Sequence, residues 1–475
     1  MAEQELIRES ACAIVDKLKA GDVTPLDLLD VLEKRIAEID GKVNALPILC
    51  FDRARAHAKD LMQKPASERG LLAGLPVPIK DLTDVGDVLT TQGSPIYKNR
   101  IPARSDVLVE HLEHNGGVIY AKSNTPEFGA GANTFNEVFG ATRNPWDTSR
   151  SAAGSSGGAA VALATGMAWL AHGSDMGGSL RNPASFCGIV GLRPSIGRVA
   201  HTPHFKVDRT LGVQGPMART VDDLALFLDA MSGFHPRAPL SLPREAQSFV
   251  SLARSGWKPK RVAFSADLGI TPVDPEVAAI TREAAFRLAE EVVIVEEAHP
   301  DFTEAHECFQ ILRAQNFAIS YGGHLAKHRD LLKPEVIWNI EKGLKLTVAE
   351  IAKAEHQRVA LFQRTNRFFE SYDLLLTPAT ICAAFPVGDR YLAECAGHRF
   401  ETYIDWLAIV YAITLVFCPA LSLPCGFTKS GLPVGLQIVA PPREEGRILA
   451  AAKLLEERLG LDTARPVDPR LPKAA

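Results

Sequence analysis

Residues 151–181 read SAAGSSGGAAVALATGMAWLAHGSDMGGSLR. Two glycine–serine segments, residues 151–160 and 172–181, lie on either side of one apolar stretch. Glycine tolerates positive φ and leaves room for close backbone approach, so successive N–H groups can point into one small volume. This stretch therefore predicts two tight turns around a short buried helix, packed within an α/β core.

The sequence around this stretch, residues 71–197, is rich in glycine, alanine and serine and contains short apolar runs at 75–79, 118–121 and 161–168. Such runs are typical of buried strands and helices. An amphipathic helix is predicted over 221–231, and further strands are predicted at 261–264, 374–376, 420–423 and 434–439. The long apolar run Trp406–Cys425 is interrupted by prolines, so we interpret it as a buried strand and its preceding loop, and not as a membrane span.

The chain has 475 residues, more than one hydrophobic core usually supports, but its composition shows no break between separate units. We therefore predict a single domain over 1–475. Proline at a first helical turn suggests that Thr24-Pro25 begins a helix. Four segments are predicted within the domain: an N-terminal helical segment 1–65, a catalytic core 70–235, a mostly helical excursion 260–370 that shapes the pocket, and core strands with a closing helix over 371–465.

Composition restricts the partners and the compartment. Hydrophobic residues make up 46% and charged residues 23%, as in soluble globular proteins. The 52 basic and 56 acidic residues nearly balance, which predicts no binding to nucleic acid or anionic membrane. The eight cysteines show no C-x-x-C spacing and are predicted to be reduced. The N-terminus lacks the pattern of a secretory signal, so a cytoplasmic location is expected.

Ser179 ends the second glycine–serine segment and is a candidate nucleophile. Acyl transfer needs a hydroxyl nucleophile and donors for an oxyanion, and the backbone N–H groups of Met176, Gly177, Gly178 and Ser179 are candidates for those donors. The alternative interpretation is that these glycines only form tight turns between packed elements.

A serine nucleophile needs a base, and two residues are candidates. His172 is the histidine nearest in sequence, although an isolated histidine is more often structural. Lys80 ends the proline-containing apolar run GLPVPIK, residues 74–80. Free lysine titrates near 10.4, so a base at pH 7 needs a pKa lowered by about three units, which burial can supply. The alternative for Lys80 is a solvated side chain at a strand end.

These residues together resemble the amidase signature family. Ser155 lies 75 residues after Lys80, and Ser179 lies 24 residues after Ser155, both as in that family. Residues 173–195, GSDMGGSLRNPASFCGIVGLRPS, are similar to the family's longest signature. Flanking blocks are similar too, at 122–128, 419–426 and 431–437. The resemblance extends over most of the chain.

The resemblance implies an α/β fold with a mixed, twisted central sheet covered by helices on both faces. It implies that Ser179 attacks the carbonyl carbon, and that Ser155, held through a cis peptide bond, passes the proton to a neutral Lys80. Water then hydrolyses the acyl-enzyme, and no metal or cofactor takes part. A homodimer is expected from the resemblance alone.

Three further residues are given supporting roles by similarity. Asp175 and Arg181 are expected to hold the glycine loop in shape, or alternatively to form only a local ion pair. Ser156 is expected to form hydrogen bonds near the relay.

The chain also departs from the family's usual residues. Ala153 and Phe417 stand where the family commonly has glycine, and Thr414 stands where it commonly has asparagine. Phe417 is therefore expected to add bulk to the pocket wall.

The expected activity is hydrolysis of the C–N bonds of small uncharged amides, including aryl amides, with esters or carbamates as related substrates. Aromatic residues in the variable parts of the chain are candidates for an apolar pocket, or else for the core: Phe128, Phe205, Phe317, Tyr321, Trp338, Phe385, Trp406 and Phe417.

Three other functions are compatible with parts of the sequence. Within the family, the alternative is the glutaminase subunit of a transfer-RNA amidotransferase. Residues 154–158, GSSGG, also satisfy G-x-S-x-G, which would make Ser156 a nucleophile, but the preceding residues 144–150 are polar and turn-rich instead of strand-like. A phosphate-binding role lacks the G-x-x-x-x-G-K-[ST] pattern that it requires.

Overall fold

A computed structural model describes residues 3–208, 210–291 and 294–472. The helices, in chain order, are α1 Glu3–Leu6, α2 Ala11–Ala20, α3 Pro25–Val43, α4 Phe51–Met62, α5 Val107–His114, α6 Gly157–Ala164, α7 Arg181–Cys187, α8 Val221–Met231, α9 Phe249–Ala253, α10 Pro275–Phe286, α11 Ala305–His328, α12 Pro334–Leu344, α13 Val348–Phe369, α14 Ala408–Leu415 and α15 Glu445–Leu459.

Two helices show why the sequence begins them where it does. The Thr24 side chain accepts a hydrogen bond from the Asp27 N–H, and Pro25 occupies the first turn of α3. The Thr220 side chain caps α8 in the same way, through the N–H of Asp223. The predicted start at Thr24-Pro25 and the predicted helix over 221–231 are therefore confirmed.

The strands, in chain order, are β1 Ile48–Leu49, β2 Pro76–Lys80, β3 Val118–Ser123, β4 Phe135–Asn136, β5 Gly140–Ala141, β6 Leu170–Asp175, β7 Val190–Arg193, β8 Val213–Ala218, β9 Arg261–Phe264, β10 Ile294–Glu297, β11 Leu374–Pro378, β12 Glu394–Cys395, β13 His398–Arg399, β14 Ala420–Phe427 and β15 Pro433–Val439.

The central sheet has eight strands in the order β10-β9-β11-β15-β14-β7-β8-β6. Strand β9 pairs in parallel with β10 and β11, and the remaining pairs are antiparallel. Every residue of β11 and β15 is buried, so both faces of the sheet's middle are covered. Helices α7 and α10 are among the elements that pack on these strands. The predicted α/β fold with a mixed central sheet is confirmed.

A second sheet, with the order β1-β3-β2, brings the first candidate residue inward. All five residues of β2 are buried, and this strand ends at Lys80. Strand β2 pairs in parallel with β3 and packs against β6 of the central sheet. Strand β6 ends at Asp175, where the second glycine–serine segment begins its turn. The two sheets therefore place Lys80 beside that turn.

Two segments differ from the simplest expectation. The apolar run 406–425 was predicted to be a buried strand and its preceding loop. The strand β14 is present from Ala420, but residues 408–415 before it form the helix α14 and not a loop. All eight residues of α14 are buried, so this helix has no polar face to reveal its period. The excursion over 260–370 is mostly helical, and it also contributes the strands β9 and β10 to the central sheet.

Candidate active site

Lys80 lies at the centre of a buried group of serines. Its side chain is fully buried, and Nζ lies 2.7 Å from Ser155 Oγ and 2.8 Å from Ser156 Oγ. The Ser174 hydroxyl lies 3.0 Å from the same nitrogen, and the Ser174 carbonyl oxygen lies 3.4 Å from it. No carboxylate of a described residue forms an ion pair with Lys80. The structure thus brings the predicted Lys80 and Ser155 into direct contact.

The protonation state of Lys80 follows from this burial. Desolvation lowers the pKa of Lys80 to about 7, against an opposing attraction from Asp175. A neutral amine has two N–H groups and one lone pair. The two N–H groups can donate to Ser156 and Ser174, which leaves the lone pair to accept the hydroxyl proton of Ser155. The three hydroxyl partners of Lys80 therefore match the two donors and the one acceptor of a neutral amine.

Ser155 connects this buried group to a solvent-accessible cleft. The Gly154–Ser155 peptide bond is cis, as the resemblance implied. Ser155 and Ser179 both line the cleft, together with Gly154 and Gly177. The Ser179 side chain is partly exposed, whereas the Ser156 side chain is fully buried. Ser155 thus contacts the buried amine and also reaches the cavity that Ser179 lines.

The backbone of the turn after β6 offers donors beside Ser179. The Gly178 N–H donates to Asp175 Oδ1 over 3.0 Å, so it is already engaged. The N–H groups of Met176, Gly177 and Ser179 donate to no described residue. Of the four predicted oxyanion donors, these three are therefore not engaged by the described part of the chain.

Asp175 is the electrostatic centre of this turn. Its carboxylate accepts hydrogen bonds from Arg181 Nε over 3.0 Å and Arg181 Nη2 over 2.9 Å, and from Arg193 Nη1 over 3.2 Å. It also accepts from the N–H of Leu180 over 3.1 Å. Burial raises the pKa of Asp175, but the two arginines outweigh burial and hold the pKa below its ordinary value. Asp175 and Arg181 do form the predicted pair, and Arg193 adds a second cation.

We expect Asp175→Asn to destabilise the protein by about 3–5 kcal/mol, because it leaves two buried guanidinium groups without their counter-ion. Urea unfolding followed by tryptophan fluorescence would measure the loss. Glu297→Gln is a matched control, because Glu297 pairs with Arg282 at the surface, where both side chains are more than half exposed. A loss for Asp175→Asn no larger than that of the control would contradict this account of the turn.

His172 and Ser156, the alternative base and the alternative nucleophile, are both fully buried. His172 Nδ1 accepts the Lys80 backbone N–H over 3.2 Å, and His172 Nε2 donates to Gln214 Oε1 over 2.8 Å. Burial lowers the pKa of His172 to about 3, and both ring nitrogens are engaged. The Ser156 hydroxyl is bonded to Lys80 and Ser174. Neither residue lines the cleft, so neither is placed to reach a substrate there.

The wall of the cleft is aromatic on one side. Of the eight aromatic residues proposed from the sequence, Phe128, Phe205, Phe317 and Tyr321 line it. Phe128 and Tyr321 stack with ring centroids 4.3 Å apart. The other four are not among the lining residues, and Phe385 and Trp406 pack edge to face in the core.

The expectation that Phe417 adds bulk to the pocket wall is wrong. Phe417 does not line the cleft; its ring packs against Phe362 and beneath the Arg358 guanidinium, 4.2 Å from the ring centroid. Phe417 and Ala153 both have positive φ, 62° and 55°. Side chains disfavour this conformation, which explains why glycine suits both positions.

Several residues at the site were not predicted from the sequence. Ser174 contacts the amine, Arg193 neutralises Asp175, and Phe309, Arg313 and Tyr403 line the cleft. For Arg193 a signal was present, since an arginine that ends the apolar run Val190–Arg193 needs a buried partner. The cleft residues carry no such signal, because nothing in the sequence shows which face of α11, or which turn, lies against the cavity.

The described residues contain no group of three or more His, Cys, Asp and Glu side chains arranged to hold a metal. No helix among them has both the length and the apolar character that crossing a membrane requires. All eight cysteines are described, and none forms a disulfide.

Comparison with known proteins gives one family. The Amidase family matches residues 27–449. An acylamidase of Rhodococcus erythropolis is 34% identical, covering 98% of this chain and 99% of the relative. A glutamyl-tRNA(Gln) amidotransferase subunit of Halothermothrix orenii is 32% identical, covering 95% of this chain and 97% of the relative.

A solved structure gives the same result. A bacterial aryl acylamidase of the amidase signature family superimposes with a TM-score of 0.89 at 26% identity, covering 96% of this chain and 97% of that one. The chain therefore belongs to the amidase signature family and is a hydrolase that acts on C–N bonds.

Proposed function

We propose that the chain hydrolyses small uncharged amides through an acyl-enzyme on Ser179, with Ser155 and Lys80 as the proton relay. The observation that carries this proposal is the 2.7 Å contact between a fully buried Lys80 amine and a serine that opens onto the cleft of Ser179. A buried amine without a carboxylate partner is a base near neutral pH, which a serine nucleophile needs.

In the first half of the reaction, the Ser179 Oγ attacks the carbonyl carbon of the amide. Its proton passes to Ser155 Oγ while the Ser155 proton passes to the lone pair of Lys80 Nζ. The carbonyl oxygen becomes an oxyanion, which the free N–H groups of Met176, Gly177 and Ser179 can stabilise. One such donor is worth about 3 kcal/mol of barrier.

The remaining steps use the same relay in both directions. Collapse of the tetrahedral intermediate breaks the C–N bond, and the proton on Lys80 returns through Ser155 to the leaving nitrogen. Water then attacks the acyl ester, again giving a proton to the relay, and the Ser179 oxygen leaves with that proton. The products are a carboxylic acid and an amine, and the enzyme regains its starting protonation.

The cleft supports apolar amides as the substrate class. Its aromatic wall of Phe128, Phe205, Phe317 and Tyr321 can pack against an aryl or aliphatic group. The similarity to an acylamidase and to an aryl acylamidase points the same way. Esters and carbamates are expected as related substrates, because they form the same acyl-enzyme.

A second candidate is the glutaminase reaction of a transfer-RNA amidotransferase. The observation that favours it is the identity of 32% to a chain of such an enzyme, close to the 34% found for the acylamidase. This activity would release ammonia from glutamine, and it would need a partner chain to receive the ammonia.

One experiment tests the proposal and its alternative together. Anilides, aliphatic amides, carbamates and glutamine are offered to the purified chain, and the protein is separately labelled with a serine-directed fluorophosphonate. We expect hydrolysis of anilides and a label on the peptide that contains Ser179. Activity confined to glutamine would favour the glutaminase, and a protein that neither reacts nor turns over an amide would contradict both.

A further inference from the structure

One face of α11 forms a continuous part of the cleft wall. Phe309, Arg313, Phe317 and Tyr321 follow one another at intervals of four residues, and all of them line the cleft. Residues four apart lie on one side of a helix, about 6 Å apart along its axis. Three of the four are aromatic, so the arginine is the polar exception in this row.

The row starts next to the reacting atoms. A Cβ atom built on Gly177 would lie 3.2 Å from the Phe309 ring, so Phe309 packs directly against the turn that carries the free N–H groups. Arg313 lies one helical turn farther along the same face. Its position is therefore roughly 6 Å along the axis from the contact with that turn.

Arg313 is a buried cation that packs against aromatic rings. Its exposed fraction is 7%, and its guanidinium lies over the Phe317 ring, 4.4 Å from the centroid. Nη1 donates to Asn339 Oδ1, and the guanidinium also lies over the Tyr403 ring and interacts with its hydroxyl. Among the described residues no carboxylate pairs with Arg313. A guanidinium has five N–H groups, so these two partners leave some of them free to donate into the cleft.

Both acidic groups on the neighbouring helix α12 pair with other arginines, Glu341 with Arg329 and Glu335 with Arg390. Glu335 lies one turn before Asn339, and its carboxylate accepts hydrogen bonds from Arg390 over 2.7 Å and 2.6 Å. Each of the other buried arginines of the described chain donates to a carboxylate or to at least two backbone carbonyl oxygens: Arg181 and Arg193 to Asp175, Arg198 to Glu445, Arg219 to Ala168 and Ala464, and Arg358 to Leu415 and Thr210. Arg313 lines the cleft, and none of its nitrogens is a buried donor without a partner, so its remaining N–H groups are accessible to an oxygen of a bound substrate.

We propose that Arg313 determines substrate specificity by donating hydrogen bonds to an oxygen acceptor on the substrate, about one helical turn from the scissile carbonyl. A carbonyl oxygen and a carboxylate both supply this chemistry. The inference rests on the proposed function, because it assumes that the amide is attacked by Ser179 in this cleft. It deepens that function by placing an oxygen acceptor on the amide substrate: a carbonyl acceptor keeps the substrate uncharged, and a carboxylate acceptor would extend the substrate class to anionic amides.

The test compares para-substituted compounds that differ only in the acceptor. Acetanilides and N-methylbenzamides each carry a carboxamide, a carboxylate or an isopropyl group, so that either half of the substrate can face α11. We expect kcat/KM to be at least about tenfold higher for one of the oxygen-bearing groups than for isopropyl, in one series or the other. The carboxamide and carboxylate arms show whether the acceptor is neutral or anionic.

The ratio of kcat/KM between the oxygen-bearing compound and its isopropyl counterpart is then measured in two variants. In Arg313→Met the ratio is expected to fall to near one. In the control Arg364→Met the ratio should stay at the wild-type value, because Arg364 lies on α13, pairs with Glu304 and does not line the cleft. A ratio near one in the wild type, or an unaltered preference in Arg313→Met, would overturn the inference.

A binding measurement gives a second readout that does not need turnover. Calorimetry on Ser179→Ala should show a Kd at least about tenfold lower for the oxygen-bearing compound than for its isopropyl counterpart. Adding Arg313→Met to Ser179→Ala should remove this difference in Kd. Equal affinities would overturn the inference. Failure of the wild type to hydrolyse any compound of either series, the unsubstituted anilide included, would instead contradict the proposed function.

Discussion

Ser179→Ala is expected to lower kcat for amide hydrolysis by a factor on the order of 10⁴ or more, with the fold unchanged. The variant removes the oxygen that forms the acyl-enzyme, and loss of a nucleophile removes most of the contribution of its relay as well. Ser179 is partly exposed on the cleft wall, so the lost hydroxyl leaves no buried cavity. Steady-state anilide hydrolysis measures kcat, and circular dichroism checks the fold.

Ser156→Ala is the matched control for this prediction. Ser156 is also a serine of the glycine-rich turns. Its hydroxyl lies 2.8 Å from the Lys80 amine, but Ser156 does not line the cleft. Losing one hydrogen bond to the amine should cost about tenfold in kcat. The nucleophile would be Ser156 if Ser156→Ala neither hydrolysed anilides nor reacted with the fluorophosphonate, while Ser179→Ala still did both.

Lys80→Met is expected to lower kcat by about 10²–10⁴-fold, the usual contribution of a general base. Methionine fills similar volume and suits the buried position, so the main loss is the proton acceptor for Ser155. The kcat of the purified variant for anilide hydrolysis is the measurement. A Lys80→Met variant with near-normal amide hydrolysis would reject Lys80 as the base.

Lys80→Arg distinguishes two possible roles of Lys80: a base that accepts a proton, and a hydrogen-bond donor that only supports the structure. Arginine keeps N–H donors for Ser156 and Ser174, but it stays protonated and cannot accept a proton from Ser155. We therefore expect Lys80→Arg to be as inactive as Lys80→Met. Substantial activity in Lys80→Arg alone would mean that the residue acts as a hydrogen-bond donor.

Much of the fold could be predicted from local signals. Thr24-Pro25 and Thr220 carry capping chemistry that begins α3 and α8, and the apolar runs before and after the glycine-rich turns became strands. Helix α14 could not be predicted in the same way. It is buried on all sides, so its apolar residues show no helical period, and only its packing in the core distinguishes it from a strand.

How much could be predicted from the sequence differs among the residues of the site. The separations between Lys80, Ser155 and Ser179 predicted the group through the family resemblance, because residues 75 apart in sequence carry no local evidence of contact. The engagement of the Gly178 N–H with Asp175 depends on the conformation of the turn. Whether a carboxylate pairs with Arg313 depends on every element around it, so no sequence pattern could predict that none of the described carboxylates does.

The measurement that tests the account most directly is the titration of the Lys80 amine itself. Lysines labelled with ¹³C at Cε are followed by NMR as the pH is raised, and the Lys80 signal is assigned by its absence in Lys80→Met. We expect a midpoint close to the pKa of about 7 that burial gives this residue, so the amine is neutral above that pH. A midpoint near 10.4, the value of free lysine, would contradict the proposed relay.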